Sequence, residues 1–275
     1  MHLAMAGMLA LLVAFAGVII SLVCVSVGYI MSRKSANELG PTLTWGGHVG
    51  VIVTFVGLTL ACLIIEFCLL TGDTSIQYVV HARSSETGAL GLLYRISGLW
   101  EGKEGSLLFW AWLISLFTTI ITVRNMKEQR ELDSVAIGVM QLVLAAFVGI
   151  LMFSEDNCPF IATAAQYFDA SGNLTGAALS WGINPLLEHW AMAVHPPTLF
   201  VGYAGMTVPF AFAIAALVTR SSSDTWVRSS QRYLMVAFWF LTIGIGLGAV
   251  WAYVVLGWGG YWGWDAVENA SLLSW

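Results

Sequence analysis

The sequence has 275 residues, of which 58% are hydrophobic and 10% are charged, and its mean hydropathy is +0.80. Soluble domains carry about 25% charged residues, so this composition excludes a soluble globular protein and indicates a polytopic membrane protein. The net charge of −5, without a basic tail or patch, excludes a nucleic-acid-binding protein.

Six charge-poor stretches have roughly the 20 residues that an α-helix needs to cross the hydrocarbon core of a bilayer. The sequence therefore predicts an all-α membrane protein, with residues 1–275 forming a single membrane domain. The predicted spans are Leu3–Met31, Val49–Leu70, Gly105–Val123, Ser134–Phe153, Pro196–Thr219 and Tyr233–Leu256. The last residues, Ala270–Trp275, are predicted to begin a seventh helix.

The distribution of basic residues predicts the orientation of these spans, because loops rich in Lys and Arg stay in the cytoplasm. Eight of the eleven basic residues lie in the loops that follow the first, third and fifth spans. The N-terminus is therefore predicted to lie outside the cytoplasm, as are the segments 71–104, 154–195 and 257–275.

The last of these outer segments, 257–275, alternates glycines with aromatic residues. Its glycines let backbone or a flat ligand come close, and its rings offer wide apolar faces with polar edges. The glycines are Gly257, Gly259, Gly260 and Gly263, and the rings belong to Trp258, Tyr261, Trp262, Trp264 and Trp275. An interfacial aromatic belt explains a single Trp but neither the glycines nor the neighbouring acids. We expect a planar, mostly apolar ligand with a polar rim, a description that a porphyrin fits.

Asp265 and Glu268 stand three residues apart at the start of the predicted seventh helix. This spacing resembles a capping box, with Asp in place of Ser or Thr. In a second and compatible interpretation, Asn269 and the two carboxylates fix the loop around a bound group.

His195 is the predicted metal ligand of the outer face. It precedes two prolines, which are tolerated at the start of a helix and not inside one, so the fifth helix is predicted to begin here, level with the aromatic segment. Neutral imidazole is the commonest protein ligand of metals, haem iron included. The alternative is a polar interfacial residue. Of the other histidines, His189 is predicted to be solvated, His48 structural, and His81 interfacial or in contact with a partner.

Four further features are open to a structural or a functional interpretation. Glu104 is predicted to stabilise the positive end of the third helix, and a glycine turn beside it brings Trp100 back over the membrane surface. Cys158 is predicted to be a free thiol. Glu66 lies inside the second span, where an acid is either functional or, one turn from the interface, extends to water.

Four blocks of this sequence resemble the haem-handling proteins of cytochrome c maturation. WGGYWGWDAVENASLLSW is similar to their tryptophan-rich WWD signature, which the CcmF, CcmC and CcsA proteins share. HPPTLFVGYAGMTVPFAFAIAAL, LWEGKEGSLLFWAWL and NPLLEHWAMAVHPP resemble motifs of the CcmF branch, the cytochrome c haem lyase subunit. Together the blocks run in the family's order from about residue 78 to residue 275.

The resemblance implies a role in attaching haem covalently to the CxxCH motifs of apocytochrome c. It implies a bacterial inner membrane location, with haem b bound on the periplasmic side by the residues from Trp258 to Trp275 and by His195 as an iron ligand. The implied partners are the haem chaperone of the maturation system, apocytochrome c and its thiol-handling subunits. In the family, a second external histidine and the two ligands of a structural b-type haem follow the WWD signature and have no counterpart in these 275 residues.

The sequence departs from the family pattern at a few positions without losing an implied ligand. Tyr261 stands where the family usually has Trp, and Ala266 and Ser274 stand where it usually has Pro. Lys103 lies in a block that reads EGKEG instead of the usual GGQEG. Tyr keeps the flat face, whereas the loss of both prolines is expected to loosen the exit of the loop into the next helix.

Two other functions are compatible with a polytopic membrane protein. A transporter or channel with an aromatic external gate predicts polar residues in the middle of several spans, and a membrane haem-redox subunit predicts His pairs at mid-membrane depth. The predicted spans offer neither, Glu66 apart. The end of the chain inside a predicted helix suggests a truncated or naturally split protein, and the 275 residues alone are expected not to mature cytochromes.

Overall fold

A computed structural model of the protein describes residues 2–34, 39–221, 224–255, 257 and 259–275. These residues are 82% helical, with two isolated β-bridges in the loops. The helices are α1 (His2–Lys34), α2 (Leu39–Thr71), α3 (Gln77–Ala82), α4 (Gly88–Ser97), α5 (Lys103–Glu128), α6 (Glu131–Phe153), α7 (Gly176–Leu179), α8 (Trp190–Thr219), α9 (Thr225–Val255) and α10 (Ala266–Ser274). The prediction of an all-α protein is confirmed.

Six of these helices, α1, α2, α5, α6, α8 and α9, are long and apolar enough to cross a membrane. They have between 23 and 33 residues, so each exceeds the roughly 20 residues that a span requires. The six predicted spans are therefore confirmed, and this is a multi-pass membrane protein. We call the end of the bundle that carries α3, α4, α7 and α10 the outer end; its sidedness in the membrane remains a prediction.

The fifth long helix begins earlier than its prolines suggested. Helix α8 starts at Trp190, and Pro196 and Pro197 lie inside it, so the prediction that the helix begins at these prolines is wrong. Pro196 has no N–H to give to the carbonyl of Met192 four residues earlier. That carbonyl instead accepts a hydrogen bond of 3.3 Å from the indole of Trp100, so the outer loop compensates for the missing helical bond.

The start of α8 also corrects the prediction for His189. Its Nδ1 accepts a 3.2 Å hydrogen bond from the N–H of Ala191, which makes His189 the N-cap residue of α8 and not a solvated side chain. The capping bond satisfies one of the N–H groups that a helix start leaves unpaired. His195 consequently lies in the second turn of α8, still at the outer end.

Small residues let the long helices approach one another closely. In the α1–α2 pair, a Cβ atom added to Gly50 would lie 2.8 Å from the carbonyl oxygen of Gly17. In the antiparallel α8–α9 pair, Gly202 faces Leu241 and Gly205 faces Ala237. Such small-residue seams are typical of helices packed in a membrane, where van der Waals contact replaces the hydrophobic driving force.

The outer loops are held onto the bundle by two side chains. Arg83, which follows α3, donates hydrogen bonds of 2.8 to 3.1 Å to the carbonyls of Ala178, Leu179 and Trp181. Tyr78 of α3 is buried and donates to the carbonyl of Gly98 at 2.6 Å. Because these bonds join segments far apart in sequence, the outer end forms an ordered platform above the spans.

Candidate functional site

His195 lies between α8 and α9, and its two ring nitrogens have different environments. Nδ1 is 2.8 Å from the carbonyl oxygen of Gly244 on α9. A carbonyl oxygen only accepts hydrogen bonds, so Nδ1 carries the proton and Nε2 keeps the lone pair. Within the described residues no side chain hydrogen-bonds to Nε2. His195 therefore presents the imidazole tautomer that ligates a metal through Nε2.

Helix α9 supports this ring along one edge and one face. A Cβ atom added to Gly248 would lie 2.5 Å from Cε1 of His195, so the ring occupies the space that a side chain at this position would fill. The ring of Trp251 stacks at an interplanar angle of 29°, with centroids 6.1 Å apart. Neither residue was predicted from the sequence, since both lie within a predicted span; the available signal was that Gly244, Gly248 and Trp251 follow one another at intervals of about one helical turn.

Helix α10 begins with the predicted capping box. Oδ1 of Asp265 accepts from the N–H groups of Val267 at 2.8 Å and Glu268 at 2.7 Å. Oε2 of Glu268 accepts from the N–H of Asp265 at 3.4 Å and of Gly263 at 2.7 Å. Both carboxylates thus hold backbone, which confirms the capping interpretation from the spacing of the two acids.

Asn269 extends this hydrogen-bonded loop in the other direction. Its side-chain amide donates to the carbonyl of Trp264 at 3.1 Å. Trp264 has a φ of 57°, a left-handed conformation that is uncommon for a residue other than glycine. The bond from Asn269 stabilises this turn, which supports the interpretation in which Asn269 and the carboxylates fix the loop.

The aromatic residues of the segment divide into two groups. Tyr261 stacks on Tyr253 of α9 with centroids 4.5 Å apart, and Trp275 stacks on Phe238 and donates to the hydroxyl of Thr242. These two rings attach the segment and α10 to α9. Trp262 and Trp264 instead meet each other edge to face, with centroids 6.0 Å apart, and Trp264 is 70% exposed.

A cleft of about 250 Å³ lies between α8, α9 and the start of α10. It brings together four predicted site residues, namely His195, Trp262, Asp265 and Glu268, and it adds Trp251. The predicted site residues that do not line it are Gly259, Gly260, Tyr261, Trp264, Asn269 and Trp275. Trp258 lies outside the described residues. The sequence therefore indicated four of the residues that line the cleft, and about half of the predicted site residues lie in the loop beside it.

Two indole donors of residues at this cleft have no acceptor in the part of the chain that the structure describes. The indole Nε1 atoms of Trp251 and Trp262 are both buried, and neither has a hydrogen-bond partner within the described part of the chain. Buried N–H groups are almost always paired in folded proteins. Both tryptophans line the cleft, beside an imidazole whose Nε2 has no side-chain hydrogen-bond partner in the described residues.

A second outer cavity, of about 410 Å³, lies away from this cleft and contains residues whose roles were open. His81 lines it and stacks on Trp181 with ring centroids 4.6 Å apart. Cys158 forms no disulfide; it is buried, and this burial raises the pKa of its thiol, which disfavours the reactive thiolate. Burial also raises the pKa of Glu101 to about 7.

The acids predicted to act at helix ends or inside spans are located as follows. Glu104 lies in the first turn of α5, as predicted, where it meets the positive end of the helix. Glu66 lies within α2, and its Oε2 is buried without a partner in the described residues. Groups of three or more His, Cys, Asp or Glu that could hold a bare metal ion do not occur in the described ranges.

Residues 100–275, more than half of the chain, match the family model described as "Cytochrome C assembly protein". The cytochrome c-type biogenesis protein CcmF of Haemophilus influenzae is 36% identical over 221 residues, which cover 80% of this chain and 32% of the relative. CcmF of Pseudomonas fluorescens is 34% identical over 269 residues, which cover 98% of this chain and 38% of the relative.

A solved structure of a cytochrome c haem lyase CcmF has the same fold over 98% of this chain, with a TM-score of 0.77 and 29% sequence identity. The match covers 40% of that protein. This chain therefore spans between about a third and two fifths of the length of the relatives that it matches. On these similarities, the chain belongs to the cytochrome c assembly protein family and corresponds to the N-terminal portion of its CcmF members.

Proposed function

We propose that this chain binds haem at its outer end, with His195 as an axial iron ligand, and takes part in attaching that haem to apocytochrome c. The observation that carries the proposal is the coincidence, at one cleft, of an imidazole with a free Nε2 and two buried indole N–H groups, all three without a hydrogen-bond partner for these atoms among the described residues. The names of the relatives, cytochrome c-type biogenesis protein and cytochrome c haem lyase, support the same conclusion.

The cleft fits the edge of a porphyrin and not the whole macrocycle. Pockets that enclose a drug-sized ligand have volumes of roughly 300–1,000 Å³, and this one has about 250 Å³. The iron needs only one or two protein ligands because the macrocycle supplies four nitrogens, so a single imidazole is a suitable partner. Edge binding leaves the opposite side of the haem accessible, which suits a substrate that must be handed to another protein.

The polar groups of the cleft have separate tasks in this proposal. His195 holds the iron through Nε2, while the N–H groups of Trp251 and Trp262 donate to acceptors on the polar rim of the haem. The carboxylates of Asp265 and Glu268 are engaged with backbone N–H groups, so they keep the loop closed and do not take part in proton transfer. The rings exclude water from the bound edge.

The covalent chemistry belongs to the haem and to the apocytochrome. A cysteine thiol of the CxxCH motif adds across a haem vinyl group: its S–H bond and the π bond of the vinyl group break, and an S–C bond and a C–H bond form. The chain contributes orientation and iron ligation, which bring the vinyl groups and thiols into a reactive geometry. The haem handled is haem b, delivered by a haem chaperone at the periplasmic side of a bacterial inner membrane, and thiol-handling subunits supply the reduced apocytochrome.

Haem titration of the purified chain in detergent tests the proposal. The His195→Ala variant is expected to lose at least tenfold in haem affinity and to show a shifted Soret band, because an axial ligand is missing. His81→Ala is the matched control, since His81 is also at the outer end but lines the other cavity. Wild-type affinity and an unchanged spectrum in His195→Ala would exclude His195 as the ligand.

A further inference from the structure

We infer that Gly248 and the carbonyl of Gly244 form a seat on α9 that fixes the tautomer and the position of the His195 ring, and so determine how tightly haem iron is held. The inference rests on the proposed function of His195 as an iron ligand and adds two positioning residues to it. Neither glycine belongs to the tryptophan-rich segment.

The seat lies at the outer end of the seam, the row of small residues through which α8 and α9 pack. Along the seam, Gly205 faces Ala237, Gly202 faces Leu241, and Leu199 faces Gly244. Successive positions are three or four residues apart on both helices, as expected for one face of each helix. His195 and Gly248 are the next pair in this antiparallel register. The seam therefore sets the position of the imidazole through backbone packing that extends over several turns.

Gly244 and Gly248 contribute different things. The Gly244 carbonyl has two lone pairs, so it accepts from Nδ1 of His195 and still accepts the helical bond from the N–H of Gly248. Gly248 contributes space, since a Cβ atom there would lie 2.5 Å from Cε1, 3.1 Å from Nδ1 and 3.2 Å from Nε2 of the ring. Any side chain at 248 displaces the ring from the Gly244 carbonyl.

The Gly244 carbonyl has the role of a hydrogen-bond partner that orients a metal-binding histidine through its other ring nitrogen. A histidine that donates its other ring N–H to a carbonyl has a fixed tautomer, a fixed ring orientation and a more basic ligating nitrogen. Loss of such a partner typically lowers metal affinity about 10- to 100-fold. We expect Gly248→Ala to lower the haem affinity of the chain by a factor in this range.

Two matched substitutions separate the seat from its surroundings. Gly246→Ala lies on the same helix, and its new Cβ atom meets nothing within 4 Å. Gly205→Ala lies in the same seam, where its Cβ atom would be 2.8 Å from Cβ of Ala237, far along the helix from His195. The first controls for alanine in α9 and the second for general damage to the α8–α9 packing.

The experiment combines ¹⁵N NMR of histidine in the haem-free chain with haem titration, both in detergent. In Gly248→Ala, we expect His195 to lose its single Nδ1–H tautomer, haem affinity to fall about 10- to 100-fold, and added imidazole to restore the spectrum of a ligated iron. Gly246→Ala is expected to behave as wild type, and Gly205→Ala to keep the His195 tautomer.

The outcomes distinguish the inference from the function on which it rests. If Gly248→Ala binds haem as wild type while His195→Ala does not, the seat is excluded and the ligand assignment stands. An equal loss in Gly205→Ala and Gly248→Ala also overturns the inference, because general packing would then be the cause. If His195→Ala itself binds haem normally, the proposed function fails and the inference fails with it.

Discussion

At the scale of single residues, some polar groups of the outer end have hydrogen-bond partners in the structure and others do not. Asp265, Glu268 and Asn269, which the sequence predicts to cap a helix or to fix the loop around a bound group, have backbone partners in the structure. Among the groups without a partner in the described residues are the indole N–H atoms of Trp251 and Trp262 and an oxygen of Glu101. A buried polar atom without a partner is costly, so these three positions carry more functional information than the paired acids.

Glu101 leads to a prediction about pH and stability. Its pKa is raised by burial from 4.5 to about 7 in the folded chain, so between about pH 4.5 and 7 the folded state binds more protons than the unfolded state. Stability therefore falls as pH rises through this window. Glu101→Gln, which is never charged, is expected to be more stable than wild type above pH 7 by about 1–2 kcal/mol, with a much smaller difference at pH 5.

Thermal unfolding in detergent, followed by Trp fluorescence at pH 5 and pH 8, measures this difference. Glu104→Gln is a suitable control, because Glu104 lies in the first turn of α5 and its charge is favourable there. The control is expected to be neutral or slightly destabilising at pH 8. Parallel pH profiles for wild type and Glu101→Gln would contradict the prediction.

At the scale of elements, the small-residue seams determine how closely the helices approach. Helix α1 meets α2 through Gly17, Gly50 and Gly57, where added Cβ atoms would lie 2.8 Å from main-chain atoms of the partner helix. Backbone cannot move aside as a side-chain tip does, so substitution forces the helices apart. The same principle on the α8–α9 pair positions His195.

Gly50→Ala is therefore expected to destabilise the bundle by about 1–3 kcal/mol, the usual effect of overpacking. Gly46→Ala on the same helix is the control, because its Cβ atom would meet only Sγ of Cys24 at an ordinary 3.6 Å. Thermal unfolding of the two variants in the same detergent makes the comparison. A melting temperature for Gly50→Ala at or above that of Gly46→Ala would show that the α1–α2 pair has room to adjust.

Local sequence rules predicted some elements well. Charge-free runs found the six spans because burial of charge in a membrane is costly. The spacing of Asp265 and Glu268 found the capping box because both partners lie within one turn. The start of α8 was missed because the prolines indicated a helix start, whereas Trp100, about ninety residues away, supplies the hydrogen bond that lets the helix pass through Pro196.

The site was predicted only in part for a similar reason. The sequence indicated Trp262 and the two acids because they lie in a local pattern of glycines, aromatic residues and acids, and His195 because it precedes two prolines. Trp251 and Gly248 lie in an apolar helix, where nothing local marks a residue that faces a cleft. Which residues of α9 face α8 depends on the packing register, and that register is set by contacts between helices and not by neighbours in the chain.

At the scale of the whole molecule, α9 differs from the other spans. Only 17% of the residues in its most apolar 18-residue stretch are buried, compared with 39–50% in the corresponding stretches of the other five long helices. Large apolar side chains such as Trp239 and Phe210 face outward on α9 and α8. The relatives are about two and a half times as long as this chain. Helix α9, with this exposed apolar surface, also lines the cleft that contains His195.

Residues 1–275 expressed alone are therefore expected to insert in the membrane and to leave cytochrome c unmatured. Edge binding by His195 and two indoles leaves much of a haem uncovered, and a single axial ligand holds the iron weakly. The measurement is covalent cytochrome c, detected by haem staining, in a strain that lacks its own CcmF. Co-expression of a second polypeptide that supplies the C-terminal remainder of a CcmF relative is expected to restore the product. Accumulation of covalent cytochrome c with residues 1–275 alone would show that one bundle and one histidine suffice.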